Sequence, residues 1–86
     1  MFSRDFDRDE YTKKFAAKLR VLRSGAEMTQ EEIAHAVGIT RQTYYSYENS
    51  TRPVPWDKCL ALLFFFEHNE VTSVLLSAFK LMPFAE

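Results

Sequence analysis

Thr40 to Pro53, TRQTYYSYENSTRP, gathers side chains suited to recognition. The Arg41 guanidinium is a planar fork of donors, and the Gln42 carboxamide sets a donor beside an acceptor. Both can match flat polar surfaces that present two groups side by side. Three of the chain's four tyrosines, Tyr44, Tyr45 and Tyr47, follow within four positions. Neighbours on a helix are turned by about 100°, so Tyr44 and Tyr45 cannot share a face, whereas Tyr44 and Tyr47 can. The spacing predicts two groups. Tyr44 and Tyr47 turn inward; Arg41, Gln42, Tyr45 and Ser46, at i, i+1, i+4 and i+5, turn out. Exposed Arg and Gln are ordinarily just solvated. A large tyrosine displayed beside them makes the face a candidate site.

Other chemistries fail on spacing. The run DFDRDE, Asp5 to Glu10, begins like a calcium loop. Glu10 stands where that loop needs glycine, and Ala16 where it needs its closing glutamate. His35 and His68 have no partners at metal-ligand spacing. Cys59 heads an apolar run and reads as core. No serine, cysteine or histidine arrangement suggests a nucleophile, and there is no glycine-rich phosphate loop. The expectation is a protein that is not an enzyme and takes no cofactor, metal or small-molecule ligand.

The chain has 86 residues, 47% of them hydrophobic, with eight Phe. That suits one domain with one packed core and excludes disorder. Two glycines and three prolines predict helices with short joints. A single cysteine precludes an internal disulfide and fits a reducing cytoplasm. The sequence opens without a secretory pattern, and its longest apolar run, CLALLFFF, is too short to span a membrane. The net charge is −1, but residues 11–28 carry five basic groups against one acid. Local patches of this kind, not totals, decide contact with phosphates.

The positioning elements follow. Phe15, Leu19 and Leu22, at i, i+4 and i+7, predict a first helix from about Arg8 to Ser24. Residues 1–7 read as a loose arm, with Phe2 and Phe6 able to pack on the body. In MTQEEIAHAVG, Thr29 and Glu32 form a capping box for a short second helix, Gln30 to Val37. Gly38 can take the left-handed conformation that ends it. Thr40 can cap a third helix, Arg41 to about Glu48. Pro53 and Pro55 keep the next residues out of helix. A fourth helix runs from Pro55 or Trp56 to near Glu67. A fifth runs from about Glu70 to Lys80, with Val71, Val74, Leu75 and Ala78 or Phe79 as its apolar face. No strand pattern competes, so the fold class is all-α. Residues 8–86 form one domain, with a helix-turn-helix at about 29–49 and helices four and five at about 55–82.

The stretch from Leu19 to Pro55 resembles the Cro/repressor-like (Xre-type) family of DNA-binding domains. The resemblance rests on LRVLR in the first helix, TQEEIA in the second, the GITRQT joint, and YYSYEN closing the third. It implies a five-helix, lambda-repressor-like fold and double-stranded DNA as partner. By it, Arg41, Gln42, Tyr45 and Ser46 meet base edges in the major groove. An arginine can pair with guanine and a glutamine with adenine. Gln30, Thr40, Thr43, Asn49, Thr51 and Arg52 fall at matching positions for phosphate contacts. Arg23 pairs with Glu48, tying the first helix to the third. Glu27 and Ser50 stand where the family often has glycine, and a positive φ there costs about 1 kcal/mol each.

Helices four and five are apolar on most sides, so a second copy is expected to pair through Leu76, Phe79, Leu81, Met82 and Phe84, the alternative being that these residues complete the core of one chain. The function implied is a small transcriptional regulator, a repressor binding a palindromic operator as a homodimer. The alternative is an antitoxin or anti-repressor that holds a protein partner on the same apolar surface.

Overall fold

The structure, a computed structural model, describes residues 6–83. Among them are six helices and no strand: α1 (Arg8–Ala17), α2 (Leu19–Gly25), α3 (Gln30–Ala36), α4 (Arg41–Glu48), α5 (Trp56–Glu67) and α6 (Glu70–Ala78). Residues 1–5 of the expected arm, Phe2 included, and Phe84 lie outside the described residues.

The five-helix expectation is corrected at Lys18. There the backbone N–H reaches back three residues, to the Phe15 carbonyl at 3.0 Å, and tightens the chain into a single turn. Phe15, Leu19 and Leu22 are all fully buried. The turn lets α1 pack on α5 while α2 packs on α6. No glycine or proline marks it. Asp7 caps α1, its carboxylate accepting from the N–H groups of Asp9 and Glu10. The Phe6 ring packs tilted against Tyr11 and edge-on against Trp56, with ring centroids 5.7 and 5.9 Å away.

In α3 both halves of the capping box form. The Glu32 N–H donates to Thr29 Oγ1 at 3.0 Å, and the Thr29 N–H to Glu32 Oε1 at 2.9 Å. Gly38, at φ 77, follows the end of the helix. The Ile39 N–H then closes on the Ala34 carbonyl at 2.9 Å, the six-to-one bond of a Schellman motif. Helices α2, α4 and α6 end in the same way with Glu27, Ser50 and Lys80 in the left-handed position, at φ 57, 61 and 59.

One core gathers side chains from every helix, among them Phe15, Leu22, Ile33, Tyr44, Leu62, Phe66 and Leu76. Two expectations for α6 are corrected here. Its buried residues are Thr72 and Leu76, whereas Val71 and Val74 are 55% and 66% exposed. Thr72 can be buried because its hydroxyl donates to the Phe66 carbonyl at 2.6 Å. Leu76 and Leu81, expected between copies, are core residues of a single chain, and the Tyr11 hydroxyl holds the Leu81 carbonyl at 2.8 Å. Phe79 and Met82 are half-buried against the same core. The Lys18 ammonium lies 4.7 Å above the Phe79 ring. No single helix among the described residues is long and apolar enough to cross a membrane.

Candidate nucleic-acid interface

Helix α4 is held from inside. Tyr44 is fully buried and Tyr47 is 3% exposed. The Tyr44 hydroxyl donates to Glu48 Oε2 at 2.7 Å, beside Arg23 Nε at 2.6 Å. Glu48 Oε1 accepts from the Gln30 amide at 3.1 Å and lies 3.6 Å from Arg20 Nε. Arg23 also donates to the Met28 carbonyl at 3.1 Å. One enclosed carboxylate thus ties α2, α3 and α4 together.

Burial alone would push the Glu48 carboxyl up; hydrogen bonds from Arg23, Tyr44 and Gln30 outweigh it and hold the group below its ordinary value. The hydrogen bond to Glu48 raises Arg23 in turn. Burial, with the nearby carboxylate adding, lifts the Tyr44 hydroxyl above the ordinary tyrosine range. At neutral pH the cluster is therefore an arginine cation, a carboxylate and a neutral tyrosine.

On the other side of α4, Arg41 and Gln42 are exposed and Tyr45 is 48% exposed. Ser46 is half-buried, and its hydroxyl donates to the Thr43 carbonyl at 2.6 Å, which leaves it only as an acceptor. Thr40 caps α4 by accepting from the Thr43 N–H at 3.1 Å, and the two threonine hydroxyls lie 2.9 Å apart. Asn49 Oδ1 accepts from the Thr51 N–H at 3.1 Å and from its hydroxyl at 2.7 Å, folding the loop after the helix. Arg52 is exposed at the end of that loop. Gln30 lies inside the Glu48 cluster, with one amide hydrogen committed there.

Sequence reasoning counts Arg20 and Lys13 within the basic block but does not place them. Arg20 joins the Glu48 cluster while remaining 68% exposed; its place in LRVLR was the available signal. Lys13 shares with Arg52 a cleft of about 540 Å³ between α1 and residues 50–54. Nothing local could indicate that pairing, since the two are far apart in sequence. Two other cations have partners nearby: Lys14 pairs with Glu10 at 3.9 Å, and Arg8 lies over the Trp56 ring at 5.1 Å. Among the described residues, Lys13, Arg41 and Arg52 enter no ion pair.

A capped helix, a glycine turn and a second helix with its outer face free define a helix-turn-helix, and α3 and α4 have that form. The helix-turn-helix domain family matches residues 14–66, and the chain belongs to that family. Its relatives include the cryptic phage CTXphi transcriptional repressor RstR of Vibrio cholerae, 40% identical over 38 residues. That match covers 44% of this chain and 34% of the relative, so the chain spans about a third of the relative's length. No solved structure matches.

Proposed function

We propose that the protein is a sequence-specific DNA-binding regulator of transcription, a small repressor whose α4 enters the major groove. The observation that carries this reading is the outward set Arg41, Gln42 and Tyr45 on a helix fixed from behind by Glu48. Direct readout needs rigid placement: a bidentate Arg–guanine or Gln–adenine pair is worth about 1–3 kcal/mol only when both bonds can form together. Tyr45 supplies a ring edge for a thymine methyl and a hydroxyl for a phosphate. Lys13, Arg52, Thr40, Thr43, Asn49 and Thr51 flank the helix as phosphate contacts, together with the free amide hydrogen of Gln30. Similarity to a phage repressor supports the regulatory role. Two copies on a palindromic operator set their α4 helices about 34 Å apart, one helical turn of DNA.

Selection of bound duplexes from a random pool tests this directly. The expected result is a two-fold symmetric consensus whose affinity falls steeply with salt. Arg41→Ala should erase the preference at one position in each half-site, at a cost of about 1–3 kcal/mol, without changing thermal stability. Binding by this variant with the parent's full sequence preference, or no DNA shift at low salt with a protein co-purifying at fixed ratio, would sink the assignment.

A further inference from the structure

Lys13 and Arg52 enter no ion pair among the described residues, yet both line the cleft of about 540 Å³ between α1 and residues 50–54. Its walls are fixed before anything enters. On one side, Tyr11 and Phe15 bury the inner face of α1. On the other, the Thr51 and Arg52 N–H groups both donate to the Ser46 carbonyl, at 3.0 and 3.2 Å, and Val54 is 6% exposed. Pro53, its φ set by its ring, stiffens the same segment. The cleft has two poles. Lys13 and Arg52 offer only donors. Asp9 offers a carboxylate, and Thr12 spends its proton on the Asp9 carbonyl at 3.0 Å, so its oxygen can only accept. Ala16, Pro53 and Val54 supply an apolar wall.

We propose that this cleft binds a small phosphate monoester carrying hydroxyl groups and a flat apolar face, the chemistry of a nucleoside monophosphate. Each part of the lining selects one part of that ligand. Two cations call for a dianion. A carboxylate neutralises one of them, whereas a phosphate monoester, with a second pKa of about 6, neutralises both at neutral pH. The Arg52 fork can take two phosphate oxygens and the Lys13 ammonium a third. Asp9 and Thr12 keep the phosphate from their side and accept from the hydroxyls of a ribose. The apolar wall takes the face of the base. The size of the cleft lies within the roughly 300–1,000 Å³ of small-molecule sites. A continuous DNA strand fits the acceptor pole poorly, because its sugars carry no free hydroxyl. Arg52 is tied to α4 through the Ser46 carbonyl, and the DNA-binding reading gives both cations to the duplex. The ligand therefore opposes DNA binding, while its own binding does not depend on that reading.

Isothermal titration of the full chain without DNA, with adenosine monophosphate as the probe, is the test. The expected result is one site per chain. Adenosine lacks the charge and inorganic phosphate lacks the ribose and base, so each should bind about tenfold more weakly or worse. Lys13→Ala and Arg52→Ala should each weaken the nucleotide about tenfold or more, at the parent's melting temperature, because both side chains are exposed. Asp9→Ala should separate the two poles, weakening the nucleotide while strengthening inorganic phosphate. In a second arm, adenosine monophosphate should release a labelled duplex from the parent. Nucleotide binding that ignores both Lys13→Ala and Arg52→Ala overturns this site. So does an affinity no greater than that of inorganic phosphate; if Lys13→Ala then weakens duplex binding, the cleft serves the DNA backbone alone. A duplex retained at saturating nucleotide overturns the opposition to DNA binding. A chain that binds the nucleotide here but shifts no duplex overturns the DNA-binding reading and leaves this site standing.

Discussion

Glu48 in α4 and Thr72 in α6 are both enclosed polar side chains, but their surroundings are opposite in kind. Glu48 collects donors from three helices and turns α3 and α4 into one unit fixed by charge. Thr72 makes a short bond to the Phe66 carbonyl inside an apolar layer where α5 and α6 pack by shape. The consequence shows at the surface. The charge-held helix presents Arg41, Gln42 and Tyr45, whereas the shape-held one presents Val71 and Val74. With polarity satisfied inside α4, its outside displays polar side chains, while the outside of α6 displays Val71 and Val74.

The comparison is sharpest if each half is broken at its centre. Phe66→Ala should cost about 3–5 kcal/mol by opening a cavity. Arg23→Ala should cost about as much, by leaving Glu48 enclosed with only the largely exposed Arg20 as its cation. The pH dependence separates the two. Without Arg23, burial pushes the carboxyl up, so acidification protonates it and relieves the loss. The loss in Phe66→Ala should not vary with pH. Urea unfolding of both variants between pH 7 and 4 measures this, and equal pH profiles would erase the distinction drawn here.

A somewhat smaller effect tests the Glu48 cluster in the parent. Its carboxyl is held below the ordinary value when folded, so its contribution is complete above the unfolded value of about 4.3. That contribution is lost as pH falls through the depressed folded value. Glu48→Gln removes this component. Its stability deficit relative to the parent should therefore be largest at neutral pH and shrink on acidification.

For α6 the paired substitutions are Thr72→Val and Val74→Thr. The first removes the hydroxyl that donates to the Phe66 carbonyl, leaving that carbonyl only the Asn69 N–H at 3.3 Å, and should cost about 1 kcal/mol. The second adds a hydroxyl at an open site and should stay within about 0.5 kcal/mol. The sequence invites the reverse ranking, and its reason marks the limit of pattern reading. Positions 71, 74, 75, 76, 78 and 79 are all apolar, so several stripes fit one period. The correct stripe depends on the end of α5, which no local rule supplies. Leu81 is similar: its burial follows from Tyr11, seventy positions earlier. The Lys18 turn is silent because no breaker marks it. By contrast Thr29 with Glu32, and Gly38 with Ile39, act within a few residues and are legible by inspection. The outward set on α4 is legible for the same reason, since helix geometry alone separates Tyr45 from Tyr44 and Tyr47. The commitment of Gln30 to Glu48 is not, because it spans two helices.

The smallest effects lie at the helix ends, where both regions follow one rule. Glu27, Ser50 and Lys80 hold left-handed backbone at φ 57, 61 and 59, as Gly38 does at φ 77. A side chain there costs about 1–2 kcal/mol, part of which glycine returns through greater freedom in the unfolded chain. Ser50→Gly and Lys80→Gly should each stabilise by about 1 kcal/mol or less, and the two should add because the sites are independent. Gly38→Ala should destabilise by a similar amount for backbone reasons alone, since a Cβ there meets nothing within 4 Å. Thermal melts of the three variants and the Ser50–Lys80 double variant measure this. A loss at Gly38 matching the gain at Ser50 means that both helix ends are governed by φ. A Ser50→Gly variant that gains nothing means that the Ser50 side chain offsets its own strain, and the two ends then differ in chemistry as their interiors do.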